Sequence, residues 1–159
     1  LLTLNKISID GVEKDKLVEV KVKRQDAMRG RLRAIATDGE DVVIDLPRGE
    51  VVNDGDVFGK SGLDSYYKIV IETEPVMKVS LDNPNSSMSL ENAIKLGYNL
   101  GNRHLEVLIE DNTVYVPVTI GEEKIKKILE KMKLPIRYET VQKVISTRAA
   151  GYHAGEDEH

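Results

Sequence analysis

Three histidines are the residues of this chain best suited to coordination chemistry: His104, and His153 and His159 near its end. Neutral imidazole is the commonest protein metal ligand and is available above about pH 6.5. The chain has no cysteine, which excludes a disulfide, a thiolate metal site and a cysteine nucleophile. A mixed imidazole and oxygen site suits Ni, Cu or Zn, with Cu favoured on affinity alone. One histidine cannot hold an ion. Two copies of His104 brought together by a two-fold axis supply two ligands, and tail groups can complete the set. A metal reading therefore requires a dimer, with affinity falling below about pH 6 as imidazole takes up protons. The plainer use of a histidine at a helix C-terminus is to face the exposed carbonyls and the helix dipole. The residue types alone leave both uses open.

A second candidate is the basic run of Arg29, Arg31 and Arg33. On a strand these three project from one face as a small cationic stripe. Such a stripe is either a solvated strand face or a docking point for an acidic protein surface. Nucleic acid is disfavoured, because net charge is −4 and the chain has one Phe, six Tyr and no Trp to stack on bases. No glycine-rich phosphate loop, Ser-His-Asp spacing or paired carboxylates occur in a recognisable context, and Gly62-Leu63-Asp64-Ser65 is turn chemistry. Nothing argues for an enzyme.

The elements that must position these residues divide into two halves. In the first, Lys16 to Lys23, Arg31 to Thr37, Asp41 to Leu46 and Tyr66 to Glu72 carry strand patterns. Asp38-Gly39, Pro47-Arg48-Gly49 and Asn53-Asp54-Gly55-Asp56 punctuate them, and such regular turns predict a small all-β sandwich or barrel. After Glu74-Pro75 the pattern changes. Met77 to Leu81 reads as a strand, and Asp82-Asn83-Pro84 as a helix start. Ala93, Leu96, Gly97 and Leu100 form a predicted buried face, with Gly101 ending the helix. His104 to Glu110 and Val114 to Val118 read as paired strands. Thr119 and Glu122 have capping-box spacing for a second helix that buries Ile125, Ile128, Leu129 and Met132. Ile136 to Ile145 supplies a last strand. The expected class is α+β: a β-rich domain over residues 1–72, a β-α-β-β-α-β domain of ferredoxin-like order over 73–147, and a flexible tail over 148–159. No apolar run approaches the roughly 20 residues that span a bilayer, and no leader pattern is seen, so a cytoplasmic location without membrane contact is expected.

The segment Leu100-Gly101-Asn102-Arg103-His104 resembles the signature of the urease accessory nickel chaperones, the UreE family. So do Arg29-Gly30-Arg31-Leu32-Arg33, Asp38-Gly39-Glu40, Leu46-Pro47-Arg48-Gly49, Asn53-Asp54-Gly55-Asp56-Val57, Glu74-Pro75-Val76, Leu134 and Gly151-Tyr152. The resemblance runs through nearly the whole chain. It implies a partner-binding or peptide-binding first domain and a second domain that carries metal and the dimer interface. It also implies a homodimer that delivers Ni(II) to the urease apoprotein alongside other accessory proteins, a GTPase among them. The ligand role falls on His104, with His153 and His159 contributing from the tail, and Zn(II) or Cu(II) as competitors. Many relatives carry a long histidine-rich tail, whereas this one has two tail histidines and none in Val114 to Val118. About one shared ion per dimer is expected. The rival reading, from another class, is a metal-independent protein-interaction adaptor in which His104 only closes a helix. A ferredoxin-like RNA binder is the third.

Overall fold

The computed structural model describes residues 1–8 and 10–146, so His153 and His159 lie outside the described residues. The chain divides into two units. One holds Leu1–Thr73 and is rejoined by residues 144–146, among them the buried Ile145; the other holds Glu74–Lys143.

The first unit is built from β1 (Leu2–Ile7), β2 (Leu17–Val22), a four-residue helix α1 (Arg24–Ala27), β3 (Arg31–Ile35), β4 (Asp41–Asp45), β5 (Val57–Gly59) and β6 (Tyr66–Ile71). Its sheet runs β2-β6-β5-β1-β4-β3. Two of the pairings, β1 with β4 and β2 with β6, are parallel; the others are antiparallel. The two ends of this order approach each other, because the Thr37 N–H donates to the Glu19 carbonyl at 3.0 Å. Alternation puts Val20, Val22, Leu32, Val42, Ile44, Phe58, Ile69 and Ile71 into one core, with scarcely any aromatic bulk beyond Phe58 and Tyr67. The β3–β4 turn closes on an Ala36–Glu40 bond around Thr37, Asp38 and Gly39. Gly39, at φ +90°, takes the left-handed position that such a three-residue loop needs.

The second unit contains β7 (Glu74–Leu81), α2 (Ser89–Asn102), β8 (Leu108–Glu110), β9 (Thr113–Pro117), α3 (Glu122–Met132) and β10 (Ile136–Lys143). Its sheet order is β10-β7-β9-β8, with every neighbouring pair antiparallel. Both helices lay their apolar residues on one side of the sheet: Leu96 and Leu100 of α2 and Ile125 and Leu129 of α3 pack with Met77, Val79 and Val116. Asp111 and Asn112 are both left-handed, as a two-residue hairpin between β8 and β9 requires. The described residues thus form a mixed α+β protein with two sheets and three α-helices.

Several boundaries differ from expectation. Helix α2 begins at Ser89, not near Pro84, because the bonds Ser86 N–H to Asn83 and Ser89 N–H to Ser86 spend those residues on turns. On α2, Leu96 and Leu100 are buried as expected, but Ala93 and Gly97 are exposed. No Thr119 capping box forms: Gly121 is the N-cap of α3, with no side-chain cap bond, and Glu122 is the first helical residue. The strand expected from His104 is only Leu108–Glu110, since residues 103–107 are used in ending α2 and returning to the sheet. Among the described residues no helix is long and apolar enough to cross a membrane.

Candidate functional site

Helix α2 is amphipathic in an unusual sense. Its inward side is held by Leu96 and Leu100, 3% and 1% exposed. At about 100° per residue, Leu90, Ile94 and Tyr98 fall on a different side, together with Gly97 and Gly101. Those three large residues are 73%, 63% and 70% exposed. Scattered apolar residues on a surface mean little, but a ridge at i, i+4 and i+8 on one helix is a contiguous patch of the kind that marks an interface.

The ridge leads to the helix end, where six residues close the helix in a defined pattern. The His104 N–H donates to the Gly101 carbonyl at 3.0 Å, and the Leu105 N–H reaches back to the Leu100 carbonyl at 3.3 Å. Arg103, the C-cap at φ −93° and ψ 5°, has already left helical geometry, and His104 turns left-handed at φ +54°. Leu105 then packs against the cluster that contains Leu100, the apolar contact that accompanies this type of closure. Glycine is the usual occupant of the left-handed position, and another residue there costs about 1–2 kcal/mol, less for types that tolerate it such as His. Gly101, the expected helix stop, remains inside the helix. The residue at the stop is the one whose chemistry stood out in the sequence, and it is exposed. Lys133 closes α3 in the same left-handed conformation, so it is the exposed imidazole, not the backbone alone, that points to chemistry at the α2 end.

No cluster of three or more His, Asp or Glu able to hold a metal ion exists among the described residues. Within that span, His104 is the single imidazole.

The arginine run belongs to the first unit. Arg31 and Arg33 are on β3 and exposed, but Arg29 precedes the strand in the turn after α1, so the three do not form one strand face. Arg33 is committed: its Nε and Nη2 donate to the two Asp41 carboxylate oxygens at 3.1 and 2.7 Å. That hydrogen bond holds the Asp41 carboxyl below the usual carboxylate range and raises the Arg33 guanidinium. Arg29 lies 3.7 Å from Asp26, both well exposed. With Leu32 these residues line an open groove of about 360 Å³. A larger groove, about 700 Å³, lies over β7 and β10 between Lys78, Ser80, Arg137, Tyr138 and Glu139, where Arg137 is tied to the Asp82 carboxylate at 3.3 Å. Neither groove is lined by a histidine, whereas the α2 end presents one. Sequence reasoning missed the ridge and Leu105. The signal for the ridge was the second apolar spacing on α2, Leu90, Ile94 and Tyr98.

The chain matches the family model described as UreE urease accessory protein, N-terminal domain, over residues 4–64, and the corresponding C-terminal domain over residues 74–159. It is similar to the urease accessory protein UreE of Prochlorococcus marinus strain AS9601, 32% identical over 114 residues, which covers 72% of this chain and 70% of that protein. The protein of the same name from strain MIT 9215 is 34% identical over 97 residues, 61% of this chain and 59% of that one. That of Yersinia frederiksenii is 27% identical over 147 residues, 82% and 62% of the two chains.

Proposed function

This chain belongs to the UreE family of urease accessory proteins, and from that premise we propose that it is a nickel-carrying chaperone of urease maturation, not an enzyme, that works as a homodimer. The family supports the maturation role. The observation that carries the finer reading is His104, an exposed imidazole in a left-handed helix stop beside an apolar ridge. One imidazole per chain among the described residues is too few for an ion, and an uncovered apolar helix face asks for a partner surface. A second copy answers both needs, and a C2 interface repeats the same residue on each side.

In this reading two His104 rings anchor one Ni(II), the cargo, at the dimer face, and His153 or His159 completes the coordination from the tail. Fixed ligands set the position of the ion, while the tail ligands can be displaced by those of an acceptor. Imidazole and oxygen donors also accept Zn(II) and Cu(II), so competition by these ions is expected. The acceptor is the urease apoprotein in the cytoplasm, with other accessory proteins, including a GTPase, as further partners. The strand order β10-β7-β9-β8 with a helix after β7 and after β9 supports a ferredoxin-like reading of the metal-binding unit. The first unit is its partner-binding part, with Arg29 and Arg31 less committed than Arg33.

Calorimetric nickel titration of the whole chain beside His104→Ala is the test. Binding near one ion per two chains that vanishes in the variant supports the proposal. Binding unchanged by the substitution confines the metal to the tail and leaves His104 a helix-end residue.

A further inference from the structure

The reading of His104 as a ligand leaves open what holds its ring where a second copy can meet it. We infer that the helix-closing turn is itself part of the metal site, with Leu105 as the positioning residue; this rests on the proposal that His104 binds nickel. Within an α-helix every side chain leans back toward the N-terminus and lies along the helix surface. A histidine at position 103, the C-cap at φ −93° where the backbone has not yet changed hand, stays close to that rule. The change of hand at His104 frees the next side chain from it. The left-handed backbone is clamped on both sides, by the His104 N–H on the Gly101 carbonyl and by the Leu105 N–H on the Leu100 carbonyl. The clamp is held shut because the Leu105 side chain packs against the cluster of the 1%-exposed Leu100. The Cα–Cβ direction from which the imidazole departs is therefore set by backbone and core, which lowers the part of the ordering cost that the backbone would otherwise carry on binding.

The position of the histidine, and not its presence at the helix end, is then what the site requires. The double variant Arg103→His, His104→Gly moves the ring back by one residue and gives the left-handed position to glycine, which favours it, so the fold is preserved by design. Nickel titration of this full-length variant should show affinity lower by at least about tenfold, the effect that groups orienting metal ligands carry. Its circular dichroism without metal should match the wild type, and its thermal midpoint should lie no lower, with the glycine raising it by about 1–2 °C. Leu105→Ala should weaken nickel binding in the still-folded protein and Leu105→Met should restore it. Wild-type-like affinity and stoichiometry in the relocated variant would overturn this inference alone. A wild-type chain that binds no nickel would instead overturn the chaperone reading and this inference with it.

Discussion

Replacing His104 by glycine should make the metal-free protein slightly more stable while removing the proposed site. The left-handed conformation at φ +54° costs a non-glycine residue about 1–2 kcal/mol, toward the lower end for His. Glycine relieves that strain but gains freedom in the unfolded chain, which returns about 0.4–1 kcal/mol. The exposed imidazole has no buried contact to lose. The net is a gain of roughly 0.5 kcal/mol, or about 1–2 °C in thermal midpoint at 2–4 °C per kcal/mol. His104→Ala keeps the strain and should stay within about 0.5 kcal/mol of the wild type. Unfolding is followed with chelator present, then with excess nickel. A site bound at 100 times its Kd adds about 2.7 kcal/mol to the native state. The wild type should therefore rank below the glycine variant without nickel and above it with nickel. A glycine variant less stable by more than about 1 kcal/mol without metal would refute the reasoning. The imidazole would then be supporting the helix end through its carbonyls, the ordinary role of a histidine there.

The ridge offers a second test. Ile94→Glu with Tyr98→Glu, both at exposed positions, should leave circular dichroism unchanged and convert the proposed dimer to monomer in sedimentation velocity, with loss of the proposed half-stoichiometric nickel binding. In the second core, Leu129→Ala should cost about 2–5 kcal/mol in denaturant unfolding, since the residue is 1% exposed. In a nuclear magnetic resonance titration Asp41 should protonate below the usual carboxylate range, and Arg33→Gln should return it to that range. Because its folded pKa is depressed, the pair's contribution is complete above the ordinary carboxylate pKa and disappears as pH falls through the lowered value. Glu122 is depressed first by the 2.6 Å hydrogen bond from Thr140 and then by Lys126, so Thr140→Val should shift its titration upward, with the same direction of pH dependence.

Much of the fold was legible because it rests on local pattern. Alternating Val marked β2, short apolar runs marked β4 and β6, and Asp-Gly and Asp-Asn marked tight turns where left-handed residues are required. The second helix showed its buried stripe through Ile125 and Leu129. The signals that failed were ones that two structures can share. Asp82-Asn83-Pro84 starts a turn as readily as a helix, and in the fold the chain makes two turns before α2 begins. Gly101 looked like the stop because glycine usually is, yet the helix continues through it and His104 takes the strained position. Periodicity chose the Leu96 and Leu100 face of α2 correctly but gave no account of the set Leu90, Ile94 and Tyr98, which also repeats at helical spacing. Only packing tells that this second set is left exposed. His104 itself was legible as chemistry, but its left-handed backbone was not, because that depends on where Leu105 finds its core.

If two copies share an ion through His104, the ridge restricts how they can meet. At 1.5 Å per residue, Ile94 lies about 12 Å from the end of α2 at Asn102. Two antiparallel helices centred on Ile94 would place those ends roughly 24 Å apart. Nitrogens on one ion sit no more than about 4 Å apart, given bonds of about 2.1 Å, and an imidazole from each side does not bridge the difference. A two-fold axis running along the helices sets them parallel instead, at the usual 8–10 Å between axes. Leu90, Ile94 and Tyr98 then face their own copies, and both His104 rings stand at the same end. Gly97 and Gly101 share that face, and a Cβ at either would meet nothing within 4 Å, so they leave room for close approach next to the metal. The apolar ridge and the imidazole thus impose a single condition on the dimer: an arrangement that covers the whole ridge by antiparallel pairing cannot also share the ion.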